Sequence, residues 1–322
     1  MAIVGRFQGH RRWAFGVAAG GVSALAGLVA WSSRPPRFQL DPLPVRNGYD
    51  DLIAAGRMIV ETPPAEGDFD RATDDEIRDW VGAYPEALER ARLGLGRATA
   101  VPLEPGVSLS PTYFENPGML RRVARLLQAE ATLADRSGDP SGAARAGLDL
   151  LRLGSAAGRG GLLIDRLTGI AIESLALNVL GGLTEKLEAD DAQRLARAVE
   201  EIEHAREPIA RVIDRDRQVS HLQSDLRMRL VLLARPGTLQ KLRGPSETAA
   251  ELADRRCQAR IRGLALTLAL RAYAREHPEA PIPPHVDDLI PAYLGAVPED
   301  PFTRSPLKLR FDGGVATVQG VD

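Results

Sequence analysis

The sequence predicts a mainly α-helical protein: an N-terminal transmembrane helix, an antiparallel helical bundle or helical-hairpin array, a Pro-rich segment and a short β-hairpin. Three observations lead to this fold class. An uncharged apolar run lies close to the N-terminus, apolar residues recur at helical spacing over most of the chain, and prolines followed by two short alternating runs fill its last part. Helices joined by short connections lie antiparallel to their neighbours, as in a bundle.

The uncharged run is predicted to span a membrane. Residues 13–31 contain nineteen residues without a charge and have a tryptophan at each end. As a helix this run is about 27 Å long, close to the ~30 Å hydrocarbon core of a bilayer, and tryptophan favours the two interfaces. We therefore expect a basic cytoplasmic tail over residues 1–12, a transmembrane helix over residues 13–31 in contact with the lipid bilayer, and a Pro-rich linker over residues 32–46.

A cleaved signal peptide is the alternative interpretation of the same run. Ala24-Leu25-Ala26 has the form of a cleavage site, but it lies inside the apolar run. A cut there would leave residues 27–31 as an exposed apolar end, so we expect a retained signal-anchor. A short basic tail inside and a large domain outside is the commoner orientation.

Residues 47–245 are predicted to form a helical domain. Its first helices are marked by a capping asparagine, a capping box and a proline that can begin a helix. Further along, apolar stripes between Gly and Pro breaks predict longer helices. The predicted helices span 49–60 after Asn47, a segment opened by Thr73-Asp74-Asp75-Glu76, 85–95, 119 to the Gly138-Asp139 turn, about 143–158, 162–187, 190–207 and 209–233, with a loop extending through Pro117 before the fourth.

Two expectations concern the core of these helices. Cys257 is the single cysteine, which excludes an intrachain disulfide and a thiolate metal cluster, and its spacing to neighbouring apolar residues predicts a buried position. The helix over residues 162–187 is expected to turn one apolar side to the core. That side carries Leu167, Ile170, Ala171, Leu175 and Leu180.

Residues 246–322 are predicted to form a long helix with a proline-rich tail. The helix runs from about Ser246 to Glu276, and eight prolines between Pro278 and Pro306 prevent regular structure after it. Side-chain anchors must then hold the tail as a lid on the helix, and the alternating runs around Asp312-Gly313-Gly314 predict a β-hairpin. The candidate anchors are Leu289, Ile290, Tyr293, Leu294 and Phe302.

Two parts of the chain resemble known families. The hairpin around Gly138-Asp139 and Ala143-Ala144 resembles one unit of a tetratricopeptide repeat (TPR). Leu270-Arg271-Ala272-Tyr273 and the runs over 289–294 and 297–302 resemble the C-terminal end of type II secretion major pseudopilins. The same tail, behind a TPR-like helical region and a membrane helix, is similar to a group of uncharacterised bacterial single-pass membrane-anchored helical proteins, over most of the chain.

This resemblance implies a single-pass protein of the bacterial inner (cytoplasmic) membrane, with the soluble region on the periplasmic side. The chain departs from pseudopilins in two respects. The prepilin-peptidase motif is missing at the membrane segment, and more than 200 residues separate that segment from the pseudopilin-like helix. A shared structural tail is therefore expected rather than a polymerising role, since a fold does not carry a function.

No catalytic, cofactor-binding or metal-binding set is predicted. One polar face of the helix over 209–233 has side chains that could hold a metal or relay a proton, but the apolar residues lie elsewhere on this helix, so the face is expected in solvent. Asp300-Pro301-Phe302 is expected to form an ordinary Asp-Pro turn, with a part of a calcium site as the alternative. The polar face consists of Asp214, Gln218, His221 and Asp225.

Composition excludes one class of partner. The chain has 322 residues, of which 44% are hydrophobic, and a net charge of −2. Residues 1–37 carry five arginines and no acid, which leaves 36 basic against 43 acidic residues, a net −7, in the remainder. A nucleic-acid binder shows a basic domain or stripe, so we expect no nucleic-acid partner.

These observations lead to the hypothesis of a non-enzymatic, membrane-tethered interaction or scaffold protein with a protein partner. One alternative is a component or relative of type II secretion or pilus-like machinery, favoured by the tail. A second is a metal-dependent hydrolase that uses the polar face over residues 214–225.

Overall fold

The computed structural model describes residues 41–103, 111–223, 238–312 and 315–319, and over these ranges the protein is mainly α-helical, as the sequence predicts. Short 3-10 helices lie at Pro64–Gly67, Phe69–Arg71 and Val286–Leu289. The α-helices are α1 (Gly48–Met58), α2 (Asp74–Gly82), α3 (Pro85–Leu95), α4 (Pro111–Arg136), α5 (Pro140–Gly158), α6 (Leu163–Leu183), α7 (Ala189–His204), α8 (Ile209–Gln223) and α9 (Thr238–Glu276).

The predicted membrane segment, residues 13–31, lies outside the described ranges. Within those ranges, no helix combines the length and the apolar character needed to cross a bilayer.

The helices pack both against their neighbours in the chain and against helices further away in the chain. α5 packs on both α4 and α6, while α1 packs against α3 and α4. The long helix α9 lies along α7 and also contacts α6. Most of the large side chains that are fully buried are leucines and isoleucines, among them Leu120, Leu127, Leu150, Leu153, Ile172 and Leu180.

The crossing of α5 and α6 is so close that their backbones touch. A Cβ atom added to Gly169 of α6 would lie 2.5 Å from the carbonyl oxygen of Gly154 in α5, and one added to Gly154 would lie 2.8 Å from the carbonyl oxygen of Gly169. Only glycine fits at both positions without moving the helices apart. This contact brings the middle of α6, and with it Glu173, up against α5.

Local capping chemistry places several helix starts where the sequence predicts them. The side chain of Asn47 accepts a hydrogen bond from the backbone N–H of Tyr49 at 3.2 Å. Thr73 and Glu76 form the predicted capping box, in which the Glu76 amide donates to the Thr73 hydroxyl at 3.3 Å and the Thr73 amide donates to the Glu76 carboxylate at 2.8 Å. Pro85 is the first residue of α3. The side chains of Asn47 and Thr73 satisfy amides that the first helical turn leaves without partners, and Pro85 has no amide that needs one.

Two prolines lie inside helices, contrary to the sequence prediction. Pro117 was expected in a loop, yet α4 begins at Pro111 and continues through it. Pro245 lies inside α9, which begins at Thr238 rather than near Ser246. A proline removes one backbone hydrogen bond and crowds the carbonyl four residues earlier. In both helices the proline lies within the first third of a long helix. The packing of the later turns offsets the lost hydrogen bond.

The proline-rich tail docks on the bundle through three of its five predicted anchors. Leu289, Tyr293 and Leu294 are buried. The Tyr293 ring lies 5.8 Å from that of Tyr273 in α9, edge to face, and its hydroxyl donates to the Glu276 carboxylate at 2.6 Å. Burial and the Glu276 carboxylate both raise the pKa of the Tyr293 hydroxyl. Ile290 is only partly buried.

The prediction of Phe302 as an anchor is wrong. Its side chain is 44% exposed, because the turn formed by Asp300 and the following residues holds the phenylalanine on the outside. After this turn, strands β1 (Lys308–Asp312) and β2 (Val315–Gln319) pair antiparallel, with Lys308 opposite Gln319 and Asp312 opposite Val315. They lie on either side of Gly313-Gly314, where the alternating pattern predicts a hairpin.

Candidate functional site

The polar face predicted on α8 is only partly within the described residues. Asp214 is exposed and lies 3.6 Å from the guanidinium of Arg217 on the same helix. Gln218 is half-buried, whereas the side chain of His221 and the whole of Asp225 lie outside the described part of the chain. Among the described residues, no group of three or more His, Cys, Asp or Glu side chains is placed to hold a metal ion.

Asp300 forms a local turn. Its carboxylate accepts hydrogen bonds from the Phe302 amide at 2.8 Å and from the Thr303 hydroxyl at 3.0 Å. Its own amide donates to the Ser305 carbonyl at 2.8 Å. The side chain is therefore used by its own neighbours, as expected for an Asp-Pro turn.

Helix α6 carries its charged residues inward. Arg166 is 2% exposed and Glu173 is 0% exposed, whereas Leu167, which was expected in the core, is 42% exposed, and Ala171 is exposed as well. Of the five residues predicted for the core side, Ile170 and Leu180 are buried. The prediction of the buried face of α6 is therefore wrong: the helix is rotated about its axis relative to the prediction, by less than one turn. The physical reason is that Arg166 and Glu173 find charged partners on other elements.

The partners are Arg206, after α7, and Asp254, in α9. The Arg166 Nε donates to the Asp254 carboxylate at 2.9 Å, and its Nη1 lies 3.6 Å from Glu173 Oε1. The Arg206 Nη2 donates to Glu173 at 2.9 Å and to Asp254 at 3.1 Å. We call these four residues the buried ion cluster. Two guanidinium groups face two carboxylates, so the cluster is neutral as a whole.

Each charge in this cluster depends on the others. Burial alone would lower the pKa of Arg166, but the carboxylates of Glu173 and Asp254 more than offset this effect and raise it. A buried charge without a partner costs several kcal/mol. The Nε and Nη1 atoms of Arg206 are buried without a hydrogen-bond partner, so the pairing of this residue is incomplete.

Cys257 is buried, as predicted, but its neighbour is a carboxylate. The thiol Sγ lies 3.2 Å from Glu173 Oε2, to which it donates. Burial and the Glu173 charge both raise the pKa of the thiol. Both effects favour the thiol over the thiolate, which is the nucleophilic form, so Cys257 is placed as a small packing group.

A cleft of about 460 Å³ opens above the buried ion cluster. We call it the tail cleft. Arg166, Arg206 and Asp254 form its floor, the end of α7 and the start of α8 form one wall, and residues 299–304 of the tail form another. Arg262 of α9 fixes the tail to this site, since its Nη1 donates to the Glu299 carbonyl at 2.6 Å and its Nε to the Glu203 carboxylate at 2.8 Å.

The charges that line the tail cleft are mixed in sign. Five arginines and five acids line it. Those on the floor pair with each other, while the rim carries exposed charges on Arg255, Glu299 and Arg304. Arg304 has a φ of 57°, a left-handed conformation that fixes the end of the turn. Since the lining is balanced, the cleft offers complementary groups to a mixed-charge surface rather than to an ion of one sign.

The sequence contained one signal for this site. In the 21 residues of α6, Asp165, Arg166 and Glu173 are the only charged residues, and all three are buried. A charged residue in an otherwise uncharged helix is costly on an apolar face unless it is paired. Apart from Arg166 and Glu173, which lie seven positions apart on α6, the pairing joins residues 33 to 88 positions apart in the chain, which periodicity does not reveal.

Comparison with known proteins adds no relative. No family model, curated protein or solved structure matches the chain.

Proposed function

We propose that the protein is a non-enzymatic, membrane-tethered interaction or scaffold protein, displayed on the periplasmic side of the bacterial inner membrane. Residues 13–31 supply the tether and residues 32–46 the spacer. The tail cleft supplies the surface at which a protein partner binds. The proposal rests on the sequence of the N-terminal region and on the geometry of this cleft.

The observation that carries the proposal is the difference between the charges on the floor of the tail cleft, which are paired with each other, and the charges at its rim, which are exposed. On its floor, Arg166 and Arg206 are engaged by Asp254 and Glu173 at 2.9–3.1 Å. Such groups are held in place by one another and are already occupied by these bonds. The exposed charges at the rim are available for a partner, and complementary charges at a rim govern orientation and association rate.

Site-specific photo-crosslinking in the full-length protein tests the proposal. A photo-reactive amino acid replaces Arg304 at the rim of the tail cleft, and a matched position on a distant element, Arg71, is the control. Arg71 is 82% exposed and does not line the cleft. We expect one discrete crosslinked protein from position 304 and none from position 71. In the same cells, alkaline carbonate should not release the protein from membranes.

Two results would contradict the proposal. Release by carbonate, or a mature N-terminus beyond Ala26, would remove the tether. Equal crosslinking from both positions, or none from position 304, would remove the tail cleft as the docking surface.

A role in type II secretion or pilus-like machinery is the second candidate. It is favoured by the resemblance of the tail sequence over residues 289–294 and 297–302 to the C-terminal end of type II secretion major pseudopilins. Secretion genes beside the coding gene, together with loss of a secreted enzyme on deletion, would favour this role. Normal secretion in the deletion strain would exclude it.

A further inference from the structure

The proline-rich tail returns along α9 and lies between this helix and α7. At its start, the Tyr293 hydroxyl donates to the carboxylate of Glu276, the last residue of α9, at 2.6 Å. Further along the tail, the Glu299 carbonyl accepts a hydrogen bond from Arg262, well before the end of α9, at 2.6 Å. The tail therefore runs antiparallel to α9. We call residues 286–307 the tail segment, and the surface of α7 and α9 that binds it the α7–α9 groove.

The groove binds the main chain of the tail segment. Gln193, Arg197 and Glu200 are spaced four and three residues apart, which places them on one face of α7. The first two donate to the Ala292 carbonyl, at 2.8 Å and 3.0 Å. The Glu200 carboxylate accepts a hydrogen bond from the Gly295 amide at 2.9 Å. Such bonds depend on the path of the bound backbone and not on which copy of the chain supplies it.

Apolar anchors of the tail segment fill the groove beside these bonds. Leu289 and Leu294 are 0% exposed and Tyr293 is 4% exposed. The Tyr293 ring lies edge to face on the ring of Tyr273 in α9. Buried aromatic and aliphatic anchors surrounded by polar contacts are also what holds separate chains together. The tail segment is thus bound as a ligand is bound in its site.

The loop over residues 277–285 connects α9 to the tail segment and makes local hydrogen bonds. The His277 amide donates to the Tyr273 carbonyl at 2.9 Å, and the Ala280 amide donates to the His277 carbonyl at 3.0 Å. Residues 277–281 are exposed, and Pro283 is the buried residue of the loop. The tail segment is therefore held in place by the groove rather than by the loop.

The composition of this loop favours an extended chain. The chain reverses its direction between the end of α9 and the tail segment. Proline-rich segments favour extended polyproline conformations and act as semi-rigid spacers. A stiff, short loop of this kind between two packed parts favours exchange of the terminal part between copies, since the loop can then extend while the same contacts form. The prolines of the loop are Pro278, Pro281, Pro283 and Pro284.

From these observations we infer that the α7–α9 groove is also the docking site for the tail segment of a second copy of this chain, so that two copies exchange tail segments and form a dimer. The chain's own tail shows which segment fits the groove, and the same residues of a second copy make the same bonds. Residues 299–304 form a wall of the tail cleft, so in the dimer each tail cleft is built from two chains. The inference requires neither the membrane tether nor a partner of another kind, and does not depend on the proposed function.

Crosslinking between two single-site variants tests the exchange. One full-length chain carries Glu200→Cys in the groove, and the other carries Gly295→Cys in the tail segment. A Cβ atom added to Gly295 lies 3.2 Å from the Glu200 carboxylate, so a short bismaleimide can join the two thiols. The two chains are co-expressed with different tags, extracted in mild detergent and treated with the reagent. We expect a crosslinked product that carries both tags, because each chain lacks the second thiol within itself.

A second pair of variants controls for chance encounters and for association through other parts of the chain. Lys186→Cys and Asp135→Cys replace two side chains that lie 2.6 Å apart outside the tail segment. This pair stays within one chain when tail segments exchange. The test pair should therefore give roughly tenfold more product than the control pair, through the higher effective concentration of its two thiols. Equal amounts of product from the two pairs overturn the inference, because the tail segment then binds only the groove of its own chain.

Two arginines of α7 separate binding in the groove from surface charge. Arg197→Ala, added to the chain with Glu200→Cys, should lower the product roughly tenfold, since it removes a charged donor to the tail main chain. Arg194→Ala is the matched control, because Arg194 is exposed and pairs with Asp191 of its own helix. This variant should leave the product unchanged. Equal effects of the two substitutions also overturn the inference, because the crosslinked contact then does not use the groove.

Discussion

Asp165 makes the stability of the protein depend on pH in a direction unusual for a carboxylate. It is 2% exposed at the start of α6, where it accepts hydrogen bonds from the Leu162 amide at 2.7 Å and from the Tyr113 hydroxyl. Burial raises the pKa of Asp165 to about 6. The charge of Asp216 adds to this increase, while the two hydrogen bonds and the charge of Arg215 oppose it.

The sign of the effect follows from the two pKa values. The folded value of about 6 lies above the reference value of 3.8, so the folded state binds the proton more tightly than the unfolded state. The contribution of Asp165 to stability is therefore fully present below pH 3.8 and is lost as pH rises through 6. A difference of about 2 pKa units corresponds to about 3 kcal/mol.

Asp165→Asn removes this titration while it keeps an acceptor oxygen for Leu162 and Tyr113. Urea unfolding of both proteins from pH 4 to pH 8 measures the effect. We expect the stability of the variant relative to the wild type to increase by about 2.5 kcal/mol over this range, since a part of the total is already lost at pH 4. Asp190→Asn, at the exposed start of α7, is the control for the removal of a carboxylate from the surface.

Only the change with pH decides this prediction, since a constant offset reflects packing of the amide. A difference that stays constant from pH 4 to pH 8 would refute the reasoning. So would a difference that moves in favour of the wild type, because Asp165 would then be stabilised as a carboxylate by Arg215 and its hydrogen bonds.

Three further predictions concern stability, each measured by chemical denaturation. Glu173→Gln should cost about 3–5 kcal/mol, because it leaves the buried ion cluster with an unbalanced positive charge, and a loss below about 1 kcal/mol would contradict this. Gly169→Ala should cost about 1–3 kcal/mol through overpacking against α5, whereas Gly181→Ala, which meets no atom within 4 Å, should be neutral or stabilising. Asp300→Ala should cost about 1 kcal/mol through its lost hydrogen bonds and Phe302→Ala less than about 0.5 kcal/mol, and the reverse order would restore Phe302 as an anchor.

The helix starts could be predicted because their causes are local. Asn47, the Thr73–Glu76 capping box and Pro85 act within a few residues of their own position. The end of α9 at Glu276 is equally local, since Pro278 follows it. All the residues that form such a feature are close together in the sequence, so the sequence alone is sufficient to predict it.

The errors arise where distant parts of the chain decide the outcome. Pro117 lies in a helix because the turns after it pack in the core, with Leu120 and Val123 buried. Phe302 is exposed because the Asp300 turn fixes its direction.

The inward charges of α6 show why apolar periodicity alone selects the wrong face. Ile164 and Leu167 are 45% and 42% exposed, while Arg166 and Glu173 between and beyond them are buried. An apolar pattern considers only the transfer free energy of each residue by itself, and this favours burial of Ile164 and Leu167. The pattern omits the free energy of pairing with Arg206 and Asp254, on elements that the sequence does not place nearby.

This pairing has a consequence for the tail cleft. Buried ion pairs are seldom more stable than well-packed apolar residues, so stability alone does not account for the buried ion cluster. The cluster does connect α6, the segment after α7 and α9 through bonds that require a particular alignment of the three. Arg166, Arg206 and Asp254 of this cluster are also the floor of the tail cleft. We therefore interpret the cluster as the device that fixes the shape of the tail cleft, and apolar replacement of all four residues should preserve folding while it abolishes crosslinking from position 304.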